Sequence, residues 1–335
     1  MDLGCLRPPE YPKVFEAAAY FIGFDSTYRD EAPKMTLKKL AVTCALGSMV
    51  LVTVGATSIR AQSHVNLADP SLGAPSVEST ESHIGNLTGH ATEGKKVYRR
   101  YCIGCHGPDG DGAGMNAQWI DPKPRDFTEA TFKCRSTPTG TLPTDDDLYN
   151  AITRGFATTN MPPWQSLTPQ QRADLIAFIK TWSPRWAKEK PGTPLSIPPE
   201  TPITIKSILQ GRELFQKLEC WKCHGPQGHG DGPAAATLTD DKGNPIRPYD
   251  FSSGSRFMCG VTNQDLYRIF MTGLDGSPMP SFADVVKPNE AWDLVHFLRT
   301  LQPLLTQEAA LWQTYRSAHG ADIKPIGPEA AVGVQ

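Results

Sequence analysis

The chain has 335 residues, a formal net charge of -2, 30 prolines and 29 glycines. That length suits about two ordinary domains, and the near-neutral balance argues against a nucleic-acid binder. The proline and glycine content predicts long loops between short helices rather than a large sheet. The eight cysteines are too few and too unevenly spaced for a small disulfide scaffold.

At the N-terminal end, Met35 is followed by Lys38 and Lys39, an apolar run from Leu40 to about Thr57, and Ala61-Gln62 as a cleavage point. This predicts an export signal over residues 35–61. Residues 1–34 are then an extension or follow from a misassigned start. The apolar run is near the lower limit for crossing a bilayer, so an uncleaved anchor through residues 40–57 is the alternative. Both readings place the remainder outside the cytoplasm, periplasmic or extracytoplasmic, soluble or membrane-anchored. Cys44 lies within the apolar run and is read as passive.

Further on, the chain repeats itself. Cys102-Ile103-Gly104-Cys105-His106 is matched by Cys220-Trp221-Lys222-Cys223-His224, and both continue into Gly-rich stretches. Asp126-Phe127 and Asp250-Phe251 follow proline-rich turns, and a lone cysteine comes after each, Cys134 and Cys259. Then the copies align without gaps as D-L-Y-x5-G-x5-M-P-x-[WF]. The first runs from Asp147 through Gly155 to Met161-Pro162 and Trp164. The second runs from Asp265 through Gly273 to Met279-Pro280 and Phe282. A short helix around Val97-Tyr98 and another around Leu214-Phe215 lead into the CxxCH motifs. Amphipathic helices close each copy, with Leu175, Ile176, Ile179 and Trp182 on one stripe and Leu294, Phe297, Leu298 and Leu301 on the other. The predicted domains are 86–188 and 203–303. A proline-stiffened linker occupies 189–202, and a tail covers 304–335. In that tail Leu304, Leu305, Leu311 and Trp312 suggest a helix that docks on a partner or packs back on its own domain.

C-x-x-C-H is the attachment motif of c-type haem. Two thiols on one helical turn reach the two vinyl groups of one haem edge, and the adjacent histidine reaches the iron. The sixth ligand must come from the opposite face. A methionine in a proline-held loop suits it, because the soft thioether favours ferrous iron. The predicted cofactor-binding residues are Cys102, Cys105, His106, Met161, Cys220, Cys223, His224 and Met279, with His106, Met161, His224 and Met279 on the metal. No catalytic residue is assigned. The bland reading of CxxCH is half a zinc site, but zinc needs four ligands, usually as two nearby pairs. Each histidine is expected to donate its other ring nitrogen to a backbone carbonyl, from the loops Pro122-Lys123-Pro124 and Pro245 to Pro248. Lys123, Arg125 and Arg247 are candidates for the haem propionates, and Trp164, Phe282 and Trp221 for the pocket walls. The unduplicated His64, His83, His90, His229, His296 and His319 receive no role.

These residues resemble tandem class I cytochrome c domains, similar to di-haem cytochromes of the c4 type. The stretches around Arg125-Asp126-Phe127, Cys134-Arg135-Ser136-Thr137 and Leu142 to Tyr149 in the first copy, and around Tyr249-Asp250-Phe251, Met258-Cys259-Gly260 and Asp265-Leu266-Tyr267 in the second, are similar to haem subunits of bacterial respiratory oxidoreductases. The resemblance covers about residues 86 to 303. It implies an all-α fold, two covalently bound haem c groups, and transfer of single electrons between a redox donor and acceptor outside the cytoplasm, by an electron-transfer protein rather than an enzyme. Two alternatives stand beside it. One is a haem subunit of a membrane respiratory complex. The other is a di-haem redox enzyme of the peroxidase or thiosulfate-oxidising type, for which one iron would need an open or cysteine-ligated position. Cys134 and Cys259 have two readings as well. They pair across the two domains, or they stay as buried thiols inside separate domains.

Overall fold

The computed structural model describes residues 80–303 and 306–328. The signal or anchor over 35–61, the extension over 1–34, Leu304 and Leu305 lie outside the described residues. So do Cys5, Cys44 and His64.

Each copy is built on the crossing of its first and last long helices. In the first copy α1 (Ala91–Tyr101) packs on α4 (Pro169–Lys180), and in the second α6 (Ile205–Lys217) packs on α9 (Pro288–Thr300). A glycine sits at each crossing. A Cβ on Gly94 would lie 1.9 Å from Asp174 O, and one on Gly211 would lie 1.9 Å from Asp293 O. The side chains of Phe178 and Phe297 close over the same spots. Only a residue without a side chain lets these backbones meet. Short turns α2 (Ile103–His106) and α7 (Trp221–His224) follow the first helices and carry the CxxCH residues. Helices α3 (Asp145–Arg154) and α8 (Asn263–Thr272) precede the methionine loops.

Two separate apolar cores result. One gathers Tyr98, Phe127, Leu148, Ile176, Phe178 and Trp182. The other gathers Phe215, Phe251, Tyr267, Trp292, Phe297 and Trp312. Burying such aromatic side chains contributes about 1.5–3 kcal/mol each.

The fold departs from an all-α expectation at one place. Strands β1 (Glu81–Ile84) and β2 (Leu87–His90) form an antiparallel hairpin ahead of α1, partly upstream of residue 86. Gly85 turns it with a positive φ of 55°. The hairpin is held from outside, by Ser82 donating to Ala173 O at 2.7 Å and Gln170 donating to Thr88 O at 2.8 Å. Two four-residue strands are too short to show alternation, and it is α4, through the Ala173 carbonyl and the Gln170 side chain, that fixes them.

Residues 189–202 carry no regular element and are strapped onto neighbouring segments. Gly192 N–H donates to Leu142 O, Leu195 N–H to Ser136 O, and Glu200 accepts from Asn263. A short helix α5 (Arg185–Lys188) precedes them. His296 is fully buried and bonds Ser207 Oγ at 2.9 Å and Glu200 at 3.3 Å, so it ties α9 to this strap. The tail forms α10 (Gln307–His319), which packs back on α9 and α6 and seats Trp312 in the second core. Between the two tail readings, the structure takes the second for the described residues.

Candidate functional site

In each copy the tight turn after the first helix brings both cysteines and the histidine to one wall. His106 N–H donates to Cys102 O, and His224 N–H to Cys220 O, both at 2.9 Å. The four CxxC thiols are not paired with one another, which leaves them available to form thioethers. Burial pushes the thiols of Cys102 and Cys220 up to about 12. Each histidine turns Nδ1 onto a backbone carbonyl. His106 meets Arg125 O at 3.0 Å and His224 meets Tyr249 O at 3.1 Å. These acceptors stand one residue beyond the proline-rich loops expected to supply them, since Pro124 and Pro248 aim the following carbonyl inward. The bond holds each ring by Nδ1 and leaves Nε2 unused by it. Burial pushes both imidazoles below their ordinary range, against the raising effect of that carbonyl, so the rings are neutral and able to ligate.

The methionine loops repeat in detail. Helix α3 ends at Gly155 (φ 63°) and α8 at Gly273 (φ 69°). A Cβ on Gly155 would sit 2.5 Å from Pro162 C, and one on Gly273 would sit 2.7 Å from Ser281 N. This glycine both reverses the chain and admits the M-P segment across it. Phe156 N–H donates to Met161 O at 3.0 Å and Leu274 N–H to Met279 O at 3.1 Å. Beyond the methionine, Trp164 N–H returns to Ile152 O, and Phe282 N–H returns to Phe270 O. A hydroxyl two residues before each methionine completes the loop. Thr159 Oγ1 accepts from Met161 N–H at 3.1 Å, and Ser277 Oγ accepts from Met279 N–H at 3.3 Å. Sequence reasoning missed Thr159 and Ser277, although the aligned hydroxyls were a readable signal.

The repeated Asp of D-L-Y has two tasks. Asp147 completes the capping box of α3 by accepting from Thr144 N–H, and it also accepts from Ser136 N–H; Asp265 likewise accepts from Thr262 N–H at the start of α8 and from Val261 N–H. Ser136 and Val261 each stand two residues past the lone cysteines. Those cysteines are joined as a Cys134–Cys259 disulfide, with Cα atoms 5.2 Å apart. Beside it Arg135, its side chain fully buried, donates to Thr272 O and to Asp275 Oδ1, both at 2.7 Å. Asp275 also accepts from Thr139 and Gly140. The bridge loop of the first copy thus grips the Met279 loop of the second.

The first copy holds an open cleft between its walls. Cys102, Cys105 and His106 line it from the CxxCH turn and Met161, Pro162 and Trp164 from the methionine loop, with about 170 Å³ open to the centre of a water-sized sphere. A single water needs roughly 10–15 Å³ by that measure, so the space is large enough for a group far bigger than water. Its depth is apolar, lined by Leu148, Ile152, Leu175 and Ile179. Trp164 Nε1 is buried there without a partner, a donor suited to a propionate oxygen. Trp221 Nε1 in the second copy is also buried and partnerless. These features fit haem. A zinc reading does not fit, because no group of three or more His, Cys, Asp or Glu able to hold a metal occurs among the described residues. Of the propionate candidates, Arg125 lines the cleft and Arg247 is exposed. Lys123 also lines the cleft, and its ammonium donates to Ala117 O at 3.0 Å. Phe282 and Trp221 pack in the second core.

Comparison with known proteins agrees with this geometry. Residues 89–179 match the family described as Cytochrome C oxidase, cbb3-type, subunit III, and residues 208–302 match Cytochrome c. A chain of the Kuenenia stuttgartiensis reducing HAO-like protein complex Kustc0457/Kustc0458 is 43% identical, with a TM-score of 0.61. The match covers 63% of this chain and 96% of that one. The chain belongs to the c-type cytochromes. No curated protein gives a match. The cytochrome has two cytochrome c domains in tandem and carries two covalently bound c-type haems with iron, which makes electron transfer its chemistry. The match to an oxidase subunit family agrees with the second resemblance drawn from the sequence.

Proposed function

We propose that this cytochrome relays single electrons between a donor and an acceptor protein outside the cytoplasm, as the di-haem component of a redox complex. Cys102 and Cys105 would hold one haem and Cys220 and Cys223 the other. His106 with Met161, and His224 with Met279, would be the axial pairs. When bound, the haem iron supplies a one-electron couple. The chain's own residues do the rest. The carbonyls of Arg125 and Tyr249 orient the imidazoles, and the hydroxyls of Thr159 and Ser277 pin the thioether loops. The apolar walls keep water from the metal, which disfavours the extra charge of the ferric state. The carrying observation is the first copy's cleft, which His106 and Met161 both line, together with the backbone bonds that hold the imidazole and the methionine loop in the same way in both copies. Two ligands per iron leave no open position for substrate, which favours transfer over the peroxidase or thiosulfate-oxidising alternative. Assignment to a complex is supported by the relative at 43% identity, itself a chain of a two-protein complex.

Among the described residues no helix is long and apolar enough to cross a membrane, so membrane association rests on residues 40–57. The test of the sites is a denatured mass of the matured chain together with near-infrared spectra of Met161→Ala and Met279→Ala. The expected results are two haems per chain, and loss of half the methionine-to-ferric-iron absorption in each variant. Full absorption in either variant would reject that methionine as a ligand.

A further inference from the structure

We propose that the two bridged loops, Phe132–Cys134 and Phe257–Cys259, form the electron conduit between the two haem sites, an inference that rests on the axial assignment above. From each proximal histidine a matched series of packed rings leads to the disulfide. In the first copy the His106 ring stacks on Phe127 at 4.6 Å between centroids, and Phe127 stacks on Phe132 at 6.4 Å. Phe132 stands two residues before Cys134. In the second copy His224 contacts Phe251 at 5.2 Å, and Phe251 contacts Phe257 at 6.2 Å. Phe257 stands two residues before Cys259. The two halves are therefore equivalent position by position, and the Cys134–Cys259 bond closes them into one path.

The path also opens directly onto the first site, because Phe132, Cys134 and Met258 line its cleft. Met258 belongs to the second copy, so a polarizable sulfur from one domain touches the cofactor space of the other. Electronic coupling falls less steeply through bonds and touching rings than across a gap. A covalent link flanked by ring contacts is thus the favoured route through this interface. The transfer moves one electron from the ferrous to the ferric site. No proton moves and no bond forms or breaks, so Cys134 and Cys259 remain a disulfide throughout. Asp147 and Asp265 hold both loops from behind, which fixes the path in place.

The test uses the full haem-loaded chain at half reduction, where exchange NMR of the haem methyl resonances reads the rate of electron exchange between the two sites. A parent protein with fewer than two haems by denatured mass would remove the underlying reading and the conduit with it. With two haems present, the Cys134→Ser/Cys259→Ser variant should exchange slower by roughly an order of magnitude. Its methionine–iron absorption and the haem–haem distance from pulsed electron resonance should stay unchanged, since Arg135 and Asp275 still join the domains. An exchange rate equal to the parent's would overturn the proposal. If that variant fails to mature, Phe132→Leu with the disulfide intact serves instead. A several-fold slower exchange supports the conduit, and a parental rate refutes it.

Discussion

Replacing Gly94 by alanine tests the helix crossing on which both domains depend. The added Cβ would meet Asp174 O at 1.9 Å and Asp174 C at 2.5 Å. Both are backbone atoms of α4, so no side-chain rotation relieves the clash. Ordinary contact begins near 3.4 Å, and α1 must therefore move out by about 1.5 Å or tilt. Alanine gains about 1 kcal/mol over glycine inside a helix. Overpacking costs about 1–3 kcal/mol or more where the structure cannot relax, and separating α1 from α4 also loosens Phe178 and Tyr98. With overpacking at the upper end of that range, about 3 kcal/mol, less the alanine gain of about 1 kcal/mol, the net expectation is a loss of about 2 kcal/mol. For a unit of this size that lowers Tm by roughly 10 °C. Thermal unfolding of the haem-loaded protein by circular dichroism measures it. Gly320→Ala is the control, since a Cβ there meets nothing within 4 Å. A Gly94→Ala protein as stable as the parent would refute the reasoning, and Gly211→Ala should repeat the result in the second copy.

Other outcomes follow from the interface and the caps. Asp275→Ala leaves the Arg135 guanidinium buried without its carboxylate, a loss of about 3–5 kcal/mol when one partner of a buried pair is removed. Because Asp275 lies in the Met279 loop, methionine–iron absorption from the second site should weaken before that from the first on heating; equal loss would contradict the link. Asp265 is raised by burial, but the N–H groups of Thr262 and Val261 and the Arg268 side chain outweigh this and hold it at about 2, below its ordinary 3.8. Its contribution, roughly 2 kcal/mol, is therefore present above pH 3.8 and lost as pH falls toward about 2. Asp265→Asn should flatten that part of the acid-unfolding curve in urea titrations, and an unchanged curve would reject the assignment. Thr159→Val removes the hydroxyl that accepts from Met161 N–H and should cost about 1 kcal/mol, seen as a lower temperature for loss of the first site's methionine–iron absorption. Parental behaviour would deny Thr159 its role.

The sites were readable because their chemistry needs fixed residue types at fixed spacing. Two thiols and an imidazole must share one turn, and the D-L-Y to M-P block carries its own cap, turn glycine and returning hydrogen bonds. All of these are local in sequence. The features that escaped depend on contacts made far along the chain. The β1–β2 hairpin exists because Ser82 and Thr88 find partners on α4, about ninety residues away. Gly94 and Gly211 carry no signal in the sequence alone, because what requires them is the opposing backbone of Asp174 or Asp293. The pairing of Cys134 with Cys259 stayed open because it depends on how the two copies dock. Arg135 gave no sign in sequence, since its partners Thr272 and Asp275 belong to the other copy. The prolines of 189–202 predict a stiff segment, and its contacts with Ser136, Leu142 and Asn263 are visible only in the structure because those partners lie far along the chain.

The central claim is that both irons are fully ligated by the protein, so the molecule passes electrons and binds no substrate at the metal. Adding carbon monoxide to the fully reduced, two-haem protein at neutral pH tests this directly. The account predicts no shift of the Soret band. A shift involving half of the haem would show an open iron at one site and contradict it.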